Sequence, residues 1–116
     1  MSQKWRSPIA AKRRSHASVF AALGDRTRLA LVAKLAGAQK PYSISQLTKG
    51  SRLSRQAISK HLRVLETAGM VQSVRTGREN LFEFNPHPIE GIKEYLDFVS
   101  EQWDQALSRL KSFVEM

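Results

Sequence analysis

Arg55, Gln56, Ser59, Lys60 and Arg63 fall within nine residues, with no acid among them before Glu66. Side chains of these types can hold nucleic acid. Arginine and lysine pair with guanine O6 and N7, glutamine fits adenine N6 and N7, and serine bonds a base or a phosphate. Ile58, Leu62 and Leu65 recur between them at i, i+4 and i+7, so a helix here turns one face to a core and the cationic face outward. Any solvated helix face can carry such residues, so position decides. The bases crowd the N-terminal half of this helix, the part that enters the major groove in helix-turn-helix proteins. Arg75 and Arg78 follow, where they would reach phosphates or a minor groove whose negative potential attracts arginine.

The elements that must position these groups can be read from caps and turns. Ser54 caps a helix running to about Thr67, with Ala68 and Gly69 ending it. Gly50 to Leu53 form the turn before it. Ser43 or Ser45 caps a shorter helix through Leu47 to Lys49, after a turn at Lys40, Pro41 and Tyr42. Two helices joined by a short glycine-containing turn make a helix-turn-helix. Val71 to Thr76 and Leu81 to Asn85 are β-prone runs separated by Gly77 to Asn80, so a hairpin wing with a polar tip is expected.

Upstream, residues 16–23 read as a short apolar helix ended by Gly24. Asp25 caps a second helix in which Leu29, Val32, Ala33, Leu35 and Ala36 recur at core spacing, and Gly37 stops it. Residues 1–15, with Pro8 and five bases, read as an irregular basic arm. From about Ile89 to Val114 one long helix is expected, roughly 40 Å in length. The chain therefore divides into an arm over 1–15, a winged helix-turn-helix over 16–85 and a C-terminal helix over 86–116 that belongs to the same compact domain. The fold class is mainly α with a small β-hairpin.

That terminal helix carries Ile89, Ile92, Leu96, Val99, Trp103, Ala106, Leu110 and Phe113 at spacings of three and four, a heptad-like stripe. A small winged domain offers little surface to cover so wide a face, although part of the helix must fold back on its own domain. Val19, Leu23, Ile92, Leu96, Val99, Trp103 and Leu110 are the residues expected in an isologous two-fold seam. A dimer would set two recognition helices roughly 34 Å apart, matching successive major grooves.

Charge and composition narrow the function. Lysine and arginine number 19 against 10 acids, a net charge of +9, and the pI is near 10.5. Residues 1–84 hold sixteen of the bases and four acids, whereas residues 85–116 hold three bases and six acids. Phosphate would be drawn to the first three quarters only. There is no cysteine, which excludes disulfides and thiolate metal sites. No apolar run approaches the roughly 20 residues that span a bilayer, and no secretory segment follows the N-terminus. No membrane partner and a cytoplasmic location are expected.

Catalytic residues are absent: there is no phosphate-cradling glycine loop, no cysteine nucleophile and no acid–base pair, and the carboxylates after Glu90 read as a solvated helix face. The protein is not expected to be an enzyme. His16, His61 and His87 share no metal-binding spacing. His61 reads as a packing or phosphate-contacting residue, and His87 has only Glu90 three positions on.

Residues 23–29 (LGDRTRL), residues 53–69 (LSRQAISKHLRVLETAG) and the hairpin at Gly77 and Arg78 together resemble the ArsR/SmtB family of winged-helix transcriptional repressors. Residues 84–89 (FNPHPI) with Trp103 further resemble the subgroup associated with START-like (SRPBCC) proteins. The resemblance implies a homodimer on double-stranded DNA, operator binding, and repression relieved by a signal. It departs at Arg26, where the family usually has proline. Many members sense metals through a Cys-x-Cys pair or through ligands on the terminal helix. Here the Cys-x-Cys positions are Ser43 and Ser45, and no histidine follows His87, so no metal and no cofactor are expected.

The expected function is thus a homodimeric, sequence-specific DNA-binding regulator that represses from a palindromic operator. Two alternatives come from other classes. One is a protein-interaction module on a winged-helix scaffold, and the other is a nonspecific chromosome-coating protein.

Overall fold

The computed structural model describes residues 8–115. Helix α1 spans Pro8–Leu23, so it begins well before His16, where the sequence suggested a start. Proline suits the first helical position because its φ is already helical and its missing N–H would have no partner there. Ala10, Ala11, Lys12, Arg13 and Arg14 are good helix formers that carry the helix onward. The expected arm over 1–15 is corrected to that extent; its first seven residues lie outside the described part.

Helix α2 spans Arg26–Ala36. The Asp25 carboxylate caps it, accepting the Arg28 backbone N–H at 3.0 Å. The Leu29 N–H reaches the Asp25 carbonyl at 2.9 Å, so the first turn closes without the proline that Arg26 replaces. Leu31 and Leu35, four apart, are its buried residues. Leu29, which the sequence placed in the core, is about half exposed; it sits two residues, some 200°, from Leu31 on the helix.

A two-residue strand β1, Tyr42–Ser43, leads into helix α3, Ile44–Thr48. Ser43 forms a reciprocal capping box with Gln46, whose side chain accepts the Ser43 N–H at 2.8 Å while Ser43 Oγ accepts the Gln46 N–H at 3.1 Å. The sequence left Ser43 and Ser45 open as caps, and the box selects Ser43. Helix α4, Arg55–Thr67, follows a turn in which Gly50 takes a φ of +78°.

Strands β2, Val71–Thr76, and β3, Glu79–Phe84, form the wing. The Thr76↔Glu79 pairing leaves only Gly77 and Arg78 in the loop. Gly77 has a φ of +63° and among the described residues no non-glycine residue has positive φ, the signature of a type II′ hairpin turn. The loop is therefore shorter than the four residues expected. β3 also pairs with β1, giving an antiparallel sheet of order β1-β3-β2; two residues are too few for an alternating pattern to announce β1.

Helix α5 spans His87–Glu115. The core gathers Leu31 and Leu35 of α2, Leu47 of α3, Ile58, Leu62 and Leu65 of α4, and Met70, Val71 and Phe82 around the wing. Val19, Ala22 and Ile92 complete it where α1 crosses the start of α5. There His16 stacks obliquely on Tyr95 with ring centroids 5.0 Å apart. From Ser100 to Glu115 every residue is exposed. A radius of gyration of 18.9 Å, against about 13 Å for a compact domain of ~100 residues, records this helix projecting past the body.

The expected seam is accordingly corrected. Val19 and Ile92 are covered within the protomer, and Leu23 packs against the same core. Val19 and Ile92 close the protomer's own core and present little surface to a second chain, while Leu23 remains partly exposed. Val99 is half-buried, while Leu96, Trp103 and Leu110 are exposed.

Candidate nucleic-acid interface

The Ser54 hydroxyl accepts the Ala57 N–H at 3.2 Å and starts α4 at Arg55. Its apolar stripe, Ile58, Leu62 and Leu65, is at most 2% exposed. Fixing that stripe fixes the opposite face, since a helix has no freedom to rotate once one side is buried. Arg55, Gln56, Lys60 and Arg63 are exposed, and Ser59 is half-buried at the edge. These five predicted residues thus share one helix at the surface.

The end of α4 is tied to the wing. The Ser73 hydroxyl donates to the Glu66 carboxylate at 2.6 Å, and Gly69, at φ +79°, lets the Met70 N–H turn back to the Leu65 carbonyl at 3.0 Å. Across the hairpin, Gln72 donates to Glu83 at 2.7 Å. Arg75 and Arg78 are both exposed, Arg78 at the turn itself. The structure sets them on a separate element from the α4 group, as the sequence suggested.

A further group was not legible from spacing. Arg28 of α2 donates from Nε to the Ala22 carbonyl at 2.6 Å and from Nη2 to the Ala21 carbonyl at 3.4 Å, capping the C-terminal end of α1. Its Nη1 lies 3.3 Å from His61 Nδ1 on α4, and Asp25 Oδ2 lies 3.8 Å from the same nitrogen. Asp25 is held below its ordinary pKa, chiefly by the Arg28 backbone N–H, with smaller contributions from the Arg28 and His61 charges acting against desolvation. One arginine therefore fastens α1 and α2 to the side of α4. His61 packs at this junction with its side chain 23% exposed.

Among the described residues no group of three or more His, Asp or Glu side chains could hold a metal. His87 and Glu90 approach to 3.8 Å as an exposed pair. No helix among the described residues is long and apolar enough to cross a membrane.

The profile described as "Bacterial regulatory protein, arsR family" matches residues 25–73, which run from the α2 cap through α4 into β2. The HTH-type transcriptional regulator Rv2034 of Mycobacterium tuberculosis is 30% identical over 102 residues, covering 88% of this chain and 91% of that protein. This chain belongs to the arsR family. It is a winged helix-turn-helix, DNA-binding transcriptional regulator, and the family is not one of enzymes.

Solved structures agree on the fold. An ArsR-like transcriptional regulator from Rhodococcus sp. RHA1 is 34% identical with a TM-score of 0.81, covering 90% of this chain and 94% of that one. The winged helix-turn-helix domain of Mb0332 from Mycobacterium bovis, described as homodimeric, is 22% identical with a TM-score of 0.62, covering 94% and 95%. At that identity the second supports the fold alone.

Proposed function

We propose that this arsR-family protein is a homodimeric, cytoplasmic repressor that reads a palindromic operator through α4 and grips its backbone through the wing. The observation that carries this reading is the exposed face of Arg55, Gln56, Lys60 and Arg63 on a helix whose opposite side is locked into the core. Arg55, Gln56, Ser59 and Lys60 meet base edges; Arg63, Arg75 and Arg78 meet phosphates. A dimer bound across both half-sites represses by occupying promoter DNA.

Dimerisation is supported by the exposed apolar run on α5, Leu96, Trp103 and Leu110 included. Residues 84–89 with Trp103 support placement in the START-associated subgroup. The same exposed α5 face is what a protein-interaction module would use, so the deciding test is on DNA.

Selection of bound sequences from a random duplex pool yields the operator. Binding to it should weaken steeply with salt, because neutralised phosphates release counterions, and should exceed binding to random duplex by at least about a thousandfold. Arg55→Ala with Gln56→Ala should abolish the preference. Equal affinity for selected and random DNA would instead indicate a coating protein, and an intact partner complex with no operator would indicate an interaction module.

A further inference from the structure

Between α1 and α4 runs a groove of about 610 Å³, inside the range of roughly 300–1,000 Å³ typical of small-molecule sites. Its floor is apolar: Ala21 from α1, Val64 from α4 and Ala68 at the C-cap of α4. Val64 is 41% exposed, an apolar side chain on the helix that otherwise turns polar groups outward. Around this floor stand Arg28, Lys60 and Arg63, with no acid in the lining. Among the described residues neither Lys60 nor Arg63 is ion-paired. Arg28 is fixed by its bonds to Ala21 and Ala22, so its charge stays at the groove without reorganising.

Hydrocarbon wants such a floor and an anion wants such a rim; a nucleic-acid backbone would satisfy the cations but leave the apolar surface wet. We propose that this groove binds a single-chain alkyl carboxylate, and that its occupancy withdraws Lys60 and Arg63 from DNA. Binding itself follows from the groove's own chemistry. The regulatory consequence rests on the reading of α4 as the DNA-reading helix, because Lys60 and Arg63 cannot hold a carboxylate while they also meet a base edge and a phosphate.

Titration of the full-length protein with decanoate, followed by amide NMR, tests the first half. Saturable shifts clustered at Ala21, Val64 and Ala68 are expected, with none from acetate and much weaker ones from decanol. Lys60→Gln combined with Arg63→Gln should weaken decanoate by at least about tenfold, as loss of charge-assisted bonds implies. Ala21→Leu, which fills the floor on an exposed position of α1, should abolish the shifts while the remaining spectrum shows an intact fold. Shifts confined to Trp103 to Phe113, absence of saturation, or indifference to these variants would overturn the proposal.

Operator titrations with and without decanoate test the second half. The slope of log affinity against log salt should fall by about one per protomer when decanoate is bound, since Arg63 then loses a phosphate contact that contributes roughly 0.9. Saturable binding with no loss of operator affinity would overturn the regulatory claim. Failure of the reading of α4 would register separately, as operator binding that ignores Arg55→Ala in the absence of decanoate.

Discussion

Arg28 and His61 stand 33 residues apart in sequence, and Arg28 Nη1 lies 3.3 Å from His61 Nδ1 while Arg28 Nε donates to the Ala22 carbonyl at 2.6 Å. Three helices meet at this guanidinium. A planar fork can serve several acceptors at fixed angles, whereas an ammonium cannot. Arg28→Ala should therefore lower unfolding free energy by about 1.5–3 kcal/mol, the range for hydrogen bonds to charged groups, and Arg28→Lys should restore only part of it. Urea denaturation measures both. Equal midpoints for Arg28→Lys and the parent protein would show that the fork geometry contributes nothing.

Asp25 makes the same junction sensitive to acid. Its folded pKa is lowered, first by the Arg28 N–H and then by neighbouring positive charge. A lowered folded value means the contribution is fully present above the unfolded value near ~3.9 and disappears as pH falls through the folded value. Asp25→Asn keeps an oxygen that can accept the capping bond but carries no charge. The variant should be less stable than the parent at pH 7, and the difference should shrink below about pH 4. Thermal melts across that range check it; a gap that is constant with pH would remove Asp25 ionisation from the account.

The wing turn separates conformational strain from crowding. A methyl at Gly77 would meet nothing within 4 Å, yet its φ is +63°. Gly77→Ala should cost roughly 1–2 kcal/mol from left-handed backbone strain alone. Gly37, which caps α2 at a φ of −87°, is the control: Gly37→Ala should be near neutral. Comparable losses at both positions in urea titrations would contradict the assignment of strain to Gly77.

These elements were unequally legible in the sequence. Ser54, Ile58, Leu62 and Leu65 announced α4 because a cap and a 3.6-residue period are local signals. Gly77 announced a turn but not its two-residue length, which depends on the β2–β3 register. The β1–β3 pairing and the Arg28–His61 contact join residues with no periodic relation, so nothing local could reveal them. Val19 and Ile92 show the opposite difficulty: an apolar stripe states that a face will be covered, not whether its own domain or another chain covers it. Pro8 and the basic cluster after it suggest an irregular arm, but proline at the first position of a helix is a starter, and α1 begins there.

Helix and wing should fail differently on DNA. Arg55→Ala should cost about 1–3 kcal/mol at the operator and relax the base preference at one position of each half-site. Arg78→Ala should weaken selected and random duplexes nearly alike and reduce the salt slope by about one per protomer. Fluorescence anisotropy at several salt concentrations distinguishes them. A sequence-dependent loss for Arg78→Ala would mean that the wing reads bases or groove width as well as phosphate.

The projecting half of α5 gives the last expectation. Trp103 is 64% and Leu110 58% exposed, with Phe113 beyond them at 77%, and no residue from Ser100 to Glu115 is covered by the protomer's own core. Burying a large apolar side chain is worth about 1.5–3 kcal/mol, and in a two-fold seam each residue counts twice. Trp103→Glu with Leu110→Glu should therefore shift the protein from dimer to monomer in sedimentation equilibrium at micromolar concentration. The core residues of the winged domain are untouched by this change, so the helical circular dichroism of the body should persist. Operator affinity should fall by orders of magnitude because each half-site is then held alone, while the weak binding to a single half-site should be nearly unchanged. A variant that sediments as a dimer would place the seam elsewhere and leave the exposed α5 face for a different partner.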